Sequence, residues 1–140
     1  MSGGTTRRLV AALLILHVLA APDRAGQRSP ERTRQRPPAV LPCSTNELTS
    51  YTGKVIGYGR QVGRTTLRIR TDWDTVVRVT LTHPGADDPS AKFMIGGAAF
   101  VADDWSLIER SKGVLRTGVR ATAWVCSNGE TVVDWERPAP

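Results

Sequence analysis

The sequence predicts a mostly β-structured domain with one short helix. Two segments, from Thr65 to Thr71 and from Thr75 to Thr82, alternate between polar and apolar residues, and this period of two is typical of half-buried strands. A third observation is the Asn128-Gly129 pair between two runs of β-forming residues, which favours a tight type I′ hairpin. Together these patterns predict that an antiparallel sheet is the framework of the domain.

The first strand is predicted over Tyr51 to Val62, where β-forming residues are interrupted by Gly53, Gly57 and Gly59. Glycine weakens the interior of a strand, but it permits the sharp bends of a strongly curled sheet. We therefore expect one long, bent strand here. The two alternating segments follow it as the second and third strands.

A short helix is predicted over Asp103 to Arg110. It begins with two aspartates, which suit the unpaired N–H groups and the positive end of the dipole at a helix N-terminus. Strands are expected again over Gly118 to Cys126 and over Thr131 to Trp135. The predicted order is therefore three strands, one helix and two strands.

This order resembles the OB-fold, a five-stranded Greek-key barrel, over about 90 residues from Glu47 to Glu136. The resemblance rests on the element order, on the glycine-bent first strand, and on the return after the helix at Leu115-Arg116-Thr117-Gly118-Val119. It implies an all-β domain over residues 43–140, with the order β-β-β-α-β-β. In OB-folds generally, the outer face of the first strands binds oligonucleotides, oligosaccharides or protein partners.

Residues 1–21 have the features of a secretory signal peptide. Arg7-Arg8 precede an apolar run from Leu9 to Leu16, and Ala20-Ala21 supply small residues for cleavage. The apolar run is shorter than the about 20 residues that a membrane-spanning helix needs, so no permanent membrane anchor is expected. The predicted location is therefore the periplasm or the exterior of the cell.

Residues 22–42 are rich in arginine, glutamine and proline, which is typical of a flexible basic linker. The whole chain carries a formal net charge of +6, but residues 43–140 contain 12 Lys and Arg against 11 Asp and Glu. The predicted domain is thus close to neutral. Any positive surface on it must be local.

Cys43 and Cys126 are the two cysteines of the chain. In an exported protein, such a pair predicts one disulfide that fastens the N-terminal arm to a late strand; two buried thiols are the alternative. A metal site is not expected, because His83 is the only histidine after the signal segment. No cofactor is expected either.

The segment Asp72-Trp73-Asp74-Thr75-Val76 has two interpretations. Between antiparallel strands, Asp is a favoured turn residue because its carboxylate accepts hydrogen bonds from nearby backbone N–H groups. The segment also resembles the D-G-D-T turn of staphylococcal-nuclease-like OB-folds, whose carboxylates help to hold calcium. Here Trp73 replaces the glycine, and the sequence lacks that family's catalytic arginine and base. A turn is therefore favoured, and no enzymatic activity is expected.

The outer face of the first three strands is the candidate binding surface. Apolar residues of the second and third strands are expected to face the interior, so the arginines between them face outward. Aromatic and basic residues of the first strand are expected to join this face, and a tryptophan to lie on the adjacent turn. The candidate ligand-binding residues are Tyr58, Arg60, Arg68, Arg70, Trp73 and Arg78.

Two classes of function remain open. Arginines beside aromatic rings suit stacked bases or acidic sugars, which predicts an exported, non-enzymatic binding module for single-stranded nucleic acid or an acidic glycan. The alternative is a structural or protein-interaction domain of the cell envelope. A barrel needs a polar outer face in any case, and arginines on strands also discourage edge-to-edge aggregation.

Overall fold

The computed structural model describes residues 36–83 and 90–139. The predicted signal peptide, the linker as far as residue 35, and the loop 84–89 lie outside the described residues. Within the described ranges, no helix is both long enough and apolar enough to cross a membrane.

Three long antiparallel strands form the first half of the sheet. They are β1 (Leu48–Gln61), β2 (Arg64–Thr71) and β3 (Val76–Thr82), and a single 3-10 turn over Thr45–Glu47 precedes them. Burial alternates along β2 and along the end of β3, as the period of two in the sequence predicts. The three predicted strands are therefore confirmed, with β1 starting earlier than expected.

The second half of the domain consists mostly of shorter elements. They are a 3-10 turn (Ser90–Lys92), β4 (Phe93–Ile95), β5 (Ala98–Ala99), a 3-10 turn (Ala102–Asp104), α1 (Trp105–Ile108), β6 (Glu109–Ser111), β7 (Val114–Leu115), β8 (Arg120–Cys126) and β9 (Thr131–Trp135). The expected helix is present but ends at Ile108, because β6 begins at the next residue. The strands β4 to β7 were not predicted.

The strands form one mixed sheet in the order β3-β2-β1-β8-β9-β4-β5, and β6 pairs with β7 in a separate hairpin. Among the described strands, only the pairing of β4 with β9 is parallel. A mostly β fold with one short helix is confirmed, whereas the expected five-stranded barrel is replaced by an open seven-stranded sheet. The reason is that β4 occupies the edge of β9 that a closing strand would need.

The core lies on the inner face of this sheet. Alternate residues of β2 and β3 point into it, among them Leu67 and Leu81, which are fully buried. At its centre the ring of Phe93 meets the rings of Trp105 and Trp135 edge to face, with centroid distances of 5.6 Å in both cases. Helix α1 is therefore packed against the sheet through an aromatic cluster.

A close approach between β1 and β2 determines where the sheet bends. A Cβ atom at Gly53 would lie 2.0 Å from the carbonyl oxygen of Arg70, so only glycine fits there. A bulge follows between Val55 and Gly57. The first half of β1 pairs with β8, and the second half pairs with β2 alone.

The predicted disulfide is confirmed. Cys43 is bonded to Cys126, with a Cα–Cα distance of 6.0 Å and a sequence separation of 83. The bond fastens the segment before β1 to the end of β8. Such a bond is typical of proteins that fold in an oxidising compartment.

Candidate functional site

The outer face of β1, β2 and β3 carries five exposed cations. Arg64 begins β2, where its guanidinium donates to Oε1 of Gln61 at 3.2 Å. The other four, Lys54, Arg68, Arg70 and Arg78, are the residues that we call the cationic strip. Arg68 lies directly opposite Arg78 in the pairing of β2 with β3. Lys54 lies directly opposite Arg70 in the pairing of β1 with β2. The strip therefore crosses three neighbouring strands.

The strip lacks acidic partners among the described residues, where no salt bridge involves any of its four side chains. The next cation along the sheet is Arg120, opposite Lys54 in the pairing of β1 with β8. Its guanidinium donates to the carboxylates of Asp72, at 2.9 and 3.0 Å, and of Glu136, at 3.0 Å. The hydrogen bond to Asp72 is the main cause that raises the pKa of Arg120. Lys54 is therefore the last cation in this direction without a carboxylate partner in the described ranges, because the next one, Arg120, is paired.

Beside Arg68 the surface is formed by backbone. Gly57 and Gly59 lie opposite Arg68 and Thr66, on the outer face of β1. A Cβ atom on Gly57 would lie 3.1 Å from Cβ and Cδ of Arg68, so the stem of that arginine crosses the glycine. A Cβ atom on Gly59 would have no neighbour within 4 Å. These two glycines leave a flat shelf next to the arginines.

The turn between β2 and β3 presents Trp73 to solvent, with 83% of its surface exposed. The N–H of Asp74 donates to the carbonyl oxygen of Thr71 at 2.9 Å, and Asp74 has a φ of +59°, a conformation that Asp tolerates in turns. Thr71 and Thr75 bond through their hydroxyl groups at 2.6 Å. In the parts of the chain that are described, no group of three or more metal-ligating side chains is present. The segment therefore has the geometry of a turn.

Tyr58 and Arg60 do not lie on the outer face, so their expected placement is wrong. Tyr58 pairs with the buried Leu67, and Arg60 pairs with the buried Thr65. The bulge in β1 inserts one residue, and a shift of one residue moves every following side chain to the opposite face. The glycines at positions 57 and 59 are the sequence signal, because they would leave gaps in the core if they pointed inward.

Tyr58 and Arg60 instead bind Glu109 in the interior. The Tyr58 hydroxyl donates to Oε1 of Glu109 at 2.6 Å, and Nη2 of Arg60 donates to Oε2 at 2.9 Å. The Arg60 guanidinium also lies 3.8 Å from the centre of the Trp105 ring. Burial, followed by the hydrogen bond to Glu109, raises the pKa of Tyr58 well above its ordinary value. This buried cluster fastens α1 and the start of β6 to β1.

Comparisons with known proteins found no match to a family model, to a curated protein or to a solved structure. A function must therefore be argued from the geometry of the chain itself. In the buried cluster the carboxylate of Glu109 is bound by Tyr58 and Arg60, whereas the cations of the strip are exposed. The strip, with Trp73 at the adjacent turn, is accordingly the candidate site. Sequence reasoning missed Gly57 and Gly59, because the bulge determines which of the later residues of β1 face outward. It also missed Lys54, although this residue precedes the bulge and simple alternation already sends it outward.

Proposed function

We propose that this protein is an exported, non-enzymatic module that binds an anionic polymer on the outer face of β1, β2 and β3. The observation that carries the proposal is the cationic strip, whose four exposed cations have no carboxylate partner among the described residues. The surrounding domain is close to neutral. A local cluster of this kind supports binding of an anion at one place, rather than attraction over the whole surface.

The arrangement within the strip supports a ligand role over a purely solubilising one. Like charges placed directly opposite on neighbouring strands are destabilising, and Arg68 is placed opposite Arg78. A solubilising surface needs no such pair. A phosphate or carboxylate between the two guanidinium groups would convert their repulsion into two charge-assisted hydrogen bonds.

The extent of the surface supports a polymer over a single small anion. Arg68 and Arg70 are two residues apart on one strand, which corresponds to about 7 Å, so neighbouring charges of one chain can meet neighbouring arginines. The shelf at Gly57 and Gly59 gives an extended chain room to lie beside them. Trp73 adds an exposed ring on which a base or a sugar can stack. The order that the sequence predicts resembles that of the OB-fold, in which the corresponding face of the first strands binds ligands, and this resemblance supports the choice of this face.

The proposal is tested by titrating the purified, disulfide-bonded protein with oligothymidylate, with polygalacturonate and with neutral dextran at several salt concentrations. The test variant is Arg68→Gln with Arg78→Gln. The control variant is Arg110→Gln with Lys112→Gln, which removes the same charge from exposed positions on the β6–β7 hairpin.

We expect at least one of the two polyanions to bind the unchanged protein, and dextran not to bind. For oligothymidylate, each phosphate contact contributes about 0.7 to the slope of log affinity against log salt, so the test variant should lower that slope by about 1.4. The control should keep the slope. Equal losses in both variants, or no polyanion binding near physiological salt, would refute the proposal.

A second candidate function is docking of an envelope protein on the same face. It is favoured by exposed apolar side chains around the strip, since Val76 is 50% exposed and Ile56 is 37% exposed. Such a partner would bind through buried apolar area, which salt does not weaken. Capture of an envelope protein that persists at high salt, and is lost in a Trp73→Ala and Val76→Thr double variant, would favour this alternative.

A further inference from the structure

A pocket of about 350 Å³ lies beside the segment that follows β9, outside the cationic strip. Its walls include three arginines, Arg116, Arg120 and Arg137, together with apolar groups of Leu107 and Val119. Val119 belongs to the core cluster, and Leu107 packs against that cluster. A volume of this size falls in the range of about 300 to 1,000 Å³ that is typical of small-molecule sites. The pocket thus combines an apolar floor with a cationic rim.

Two of the three arginines are available to a ligand. Arg120 is engaged by Glu136 and by Asp72, as described above. Arg116 uses its Nε to donate to the carbonyl oxygen of Ser106 at 3.0 Å. Neither Arg116 nor Arg137 has a carboxylate partner in the described part of the chain.

Arg116 is held by bonds of the fold, and Arg137 lies beside Gly96. Arg116 is held by its Nε bond and by its own backbone N–H, which donates to the carbonyl oxygen of Ile108 at 2.8 Å. The stem of Arg137 lies against Gly96, where an added Cβ atom would be 3.6 Å from Cβ of the arginine. The backbone of Gly118, which also lines the pocket, has a φ of +82° and is exposed. Arg116 is therefore held in place before any ligand arrives, which lowers the entropy cost of binding.

We propose that this pocket binds a small organic anion. Its carboxylate or phosphate group lies between Arg116 and Arg137, and its apolar body, about the size of one ring, lies on Leu107, Val119 and Pro138. Glu136 does not repel the anion strongly, because both of its oxygens accept from Nε of Arg120 at 3.0 Å. The site is separate from polymer binding, since none of its residues belongs to the strip.

The test uses the intact protein and three probes of one shape: benzoate, phenyl phosphate and the neutral benzamide. Binding is followed by NMR through the Gly118 amide and the methyl groups of Leu107 and Val119. The pocket variant is Arg116→Gln with Arg137→Gln. The control is the β6–β7 hairpin variant, Arg110→Gln with Lys112→Gln, which loses the same charge.

We expect saturable shifts at the pocket with benzoate or phenyl phosphate, and the better of the two identifies the head group. The pocket variant should bind about tenfold more weakly, because charge-assisted hydrogen bonds are lost, while the control should bind as the unchanged protein does. An Arg137→Lys variant, which keeps the charge, should retain part of the affinity.

Several results would overturn the proposal. They are saturation by benzamide at the same concentration as by the anions, equal weakening in the pocket and control variants, and absence of shifts at Gly118 with both anions. If the pocket variant itself unfolds at a lower urea concentration, the single variants Arg137→Lys and Arg137→Gln are compared instead, because Arg137→Gln, which loses the charge, should weaken binding more than Arg137→Lys.

Discussion

At the scale of single residues, the decisive feature of the interior is an ion pair. The side chains of Arg60 and Glu109 are only 10% and 4% exposed, and their charged atoms are 2.9 Å apart. Removing two charges from water is expensive, and their attraction repays the cost only when the remaining polar atoms are also bonded. Tyr58 supplies one such bond, whereas Nε of Arg60 has no partner among the described atoms. The pair therefore holds α1 in place, but the removal of its two charged side chains from water costs considerable free energy.

The ion pair makes a clear prediction for stability. Glu109→Leu leaves Arg60 buried without a counter-charge, and we expect it to lower the free energy of unfolding by about 3 to 5 kcal/mol. The double variant Arg60→Met with Glu109→Leu removes both charges, so it should be more stable than Glu109→Leu alone. Urea unfolding of both variants measures this difference.

The control for this experiment is an ion pair on the surface. Asp72→Asn weakens the bond to Arg120, whose side chain is 36% exposed, and such pairs are worth about 0 to 1 kcal/mol. If the double variant at Arg60 and Glu109 were less stable than Glu109→Leu, the two charges would not be coupled. The cluster would then contribute mainly through packing.

Much of the strip could be predicted from the sequence, because the alternation of polar and apolar residues in β2 and β3 places Arg68, Arg70 and Arg78 on the outer face. The direction of Tyr58 and Arg60 could not be obtained in the same way. A bulge changes the count of residues along a strand, and its place depends on how two strands meet. The role of Glu109 could not be predicted either, because its partners lie about 50 residues earlier in the chain and no local pattern connects them.

At the scale of secondary-structure elements, β1 is the strand on which the architecture depends. It pairs with β8 along its first half and with β2 along its second half. The transition lies at Gly53, where the backbone of β2 leaves no room for a side chain. The later Gly59 is in open space. One strand thus contains a glycine required by packing and another that packing does not require.

These two glycines provide a matched pair of substitutions. Gly53→Ala places a Cβ atom against a backbone carbonyl that cannot move independently, and we expect a loss of about 3 kcal/mol or more. Gly59→Ala meets no neighbour and should change stability by about 0.5 kcal/mol or less. Thermal and urea unfolding of both variants check the prediction; equal losses would mean that the approach at Gly53 is not as close as described.

The long strands and the last hairpin follow from their sequence patterns, whereas β4 to β7 do not. Strands of two or three residues, such as Val114–Leu115, are too short to show a period. The parallel pairing of Phe93–Ile95 with β9 joins residues about 40 positions apart. It is this pairing that extends the sheet where a closed barrel was expected. No local pattern contains that information.

At the scale of the whole molecule, one covalent bond links the segment before β1 to the end of β8. The Cys43–Cys126 disulfide closes a loop that contains β1 and most of the later elements. A crosslink of this kind restricts the unfolded chain and so favours the folded one. Because Cys126 ends β8, the bond also fixes the arm that leads into β1.

Removal of the disulfide should therefore be costly without altering the outer face. For Cys43→Ser with Cys126→Ser we expect a loss of about 4 kcal/mol in unfolding free energy, measured by urea denaturation. At temperatures where this variant remains folded, the polyanion binding that we propose should show the same salt dependence as in the unchanged protein. An unchanged denaturation midpoint would contradict the prediction, because the crosslink would then not restrict the unfolded chain.

If the proposed anion binds between Arg68 and Arg78, which lie opposite each other, binding should also raise thermal stability. Two like charges on neighbouring strands strain the empty protein, and an anion that bridges them relieves this strain while adding its own binding energy. Bound and empty forms should thus melt at different temperatures. The melting temperature becomes a reporter that needs no label and works before the ligand has been identified. Fractions of extracellular material can be ranked by how far each raises the melting temperature of the protein. The fraction with the largest effect is then the place to search for the natural ligand.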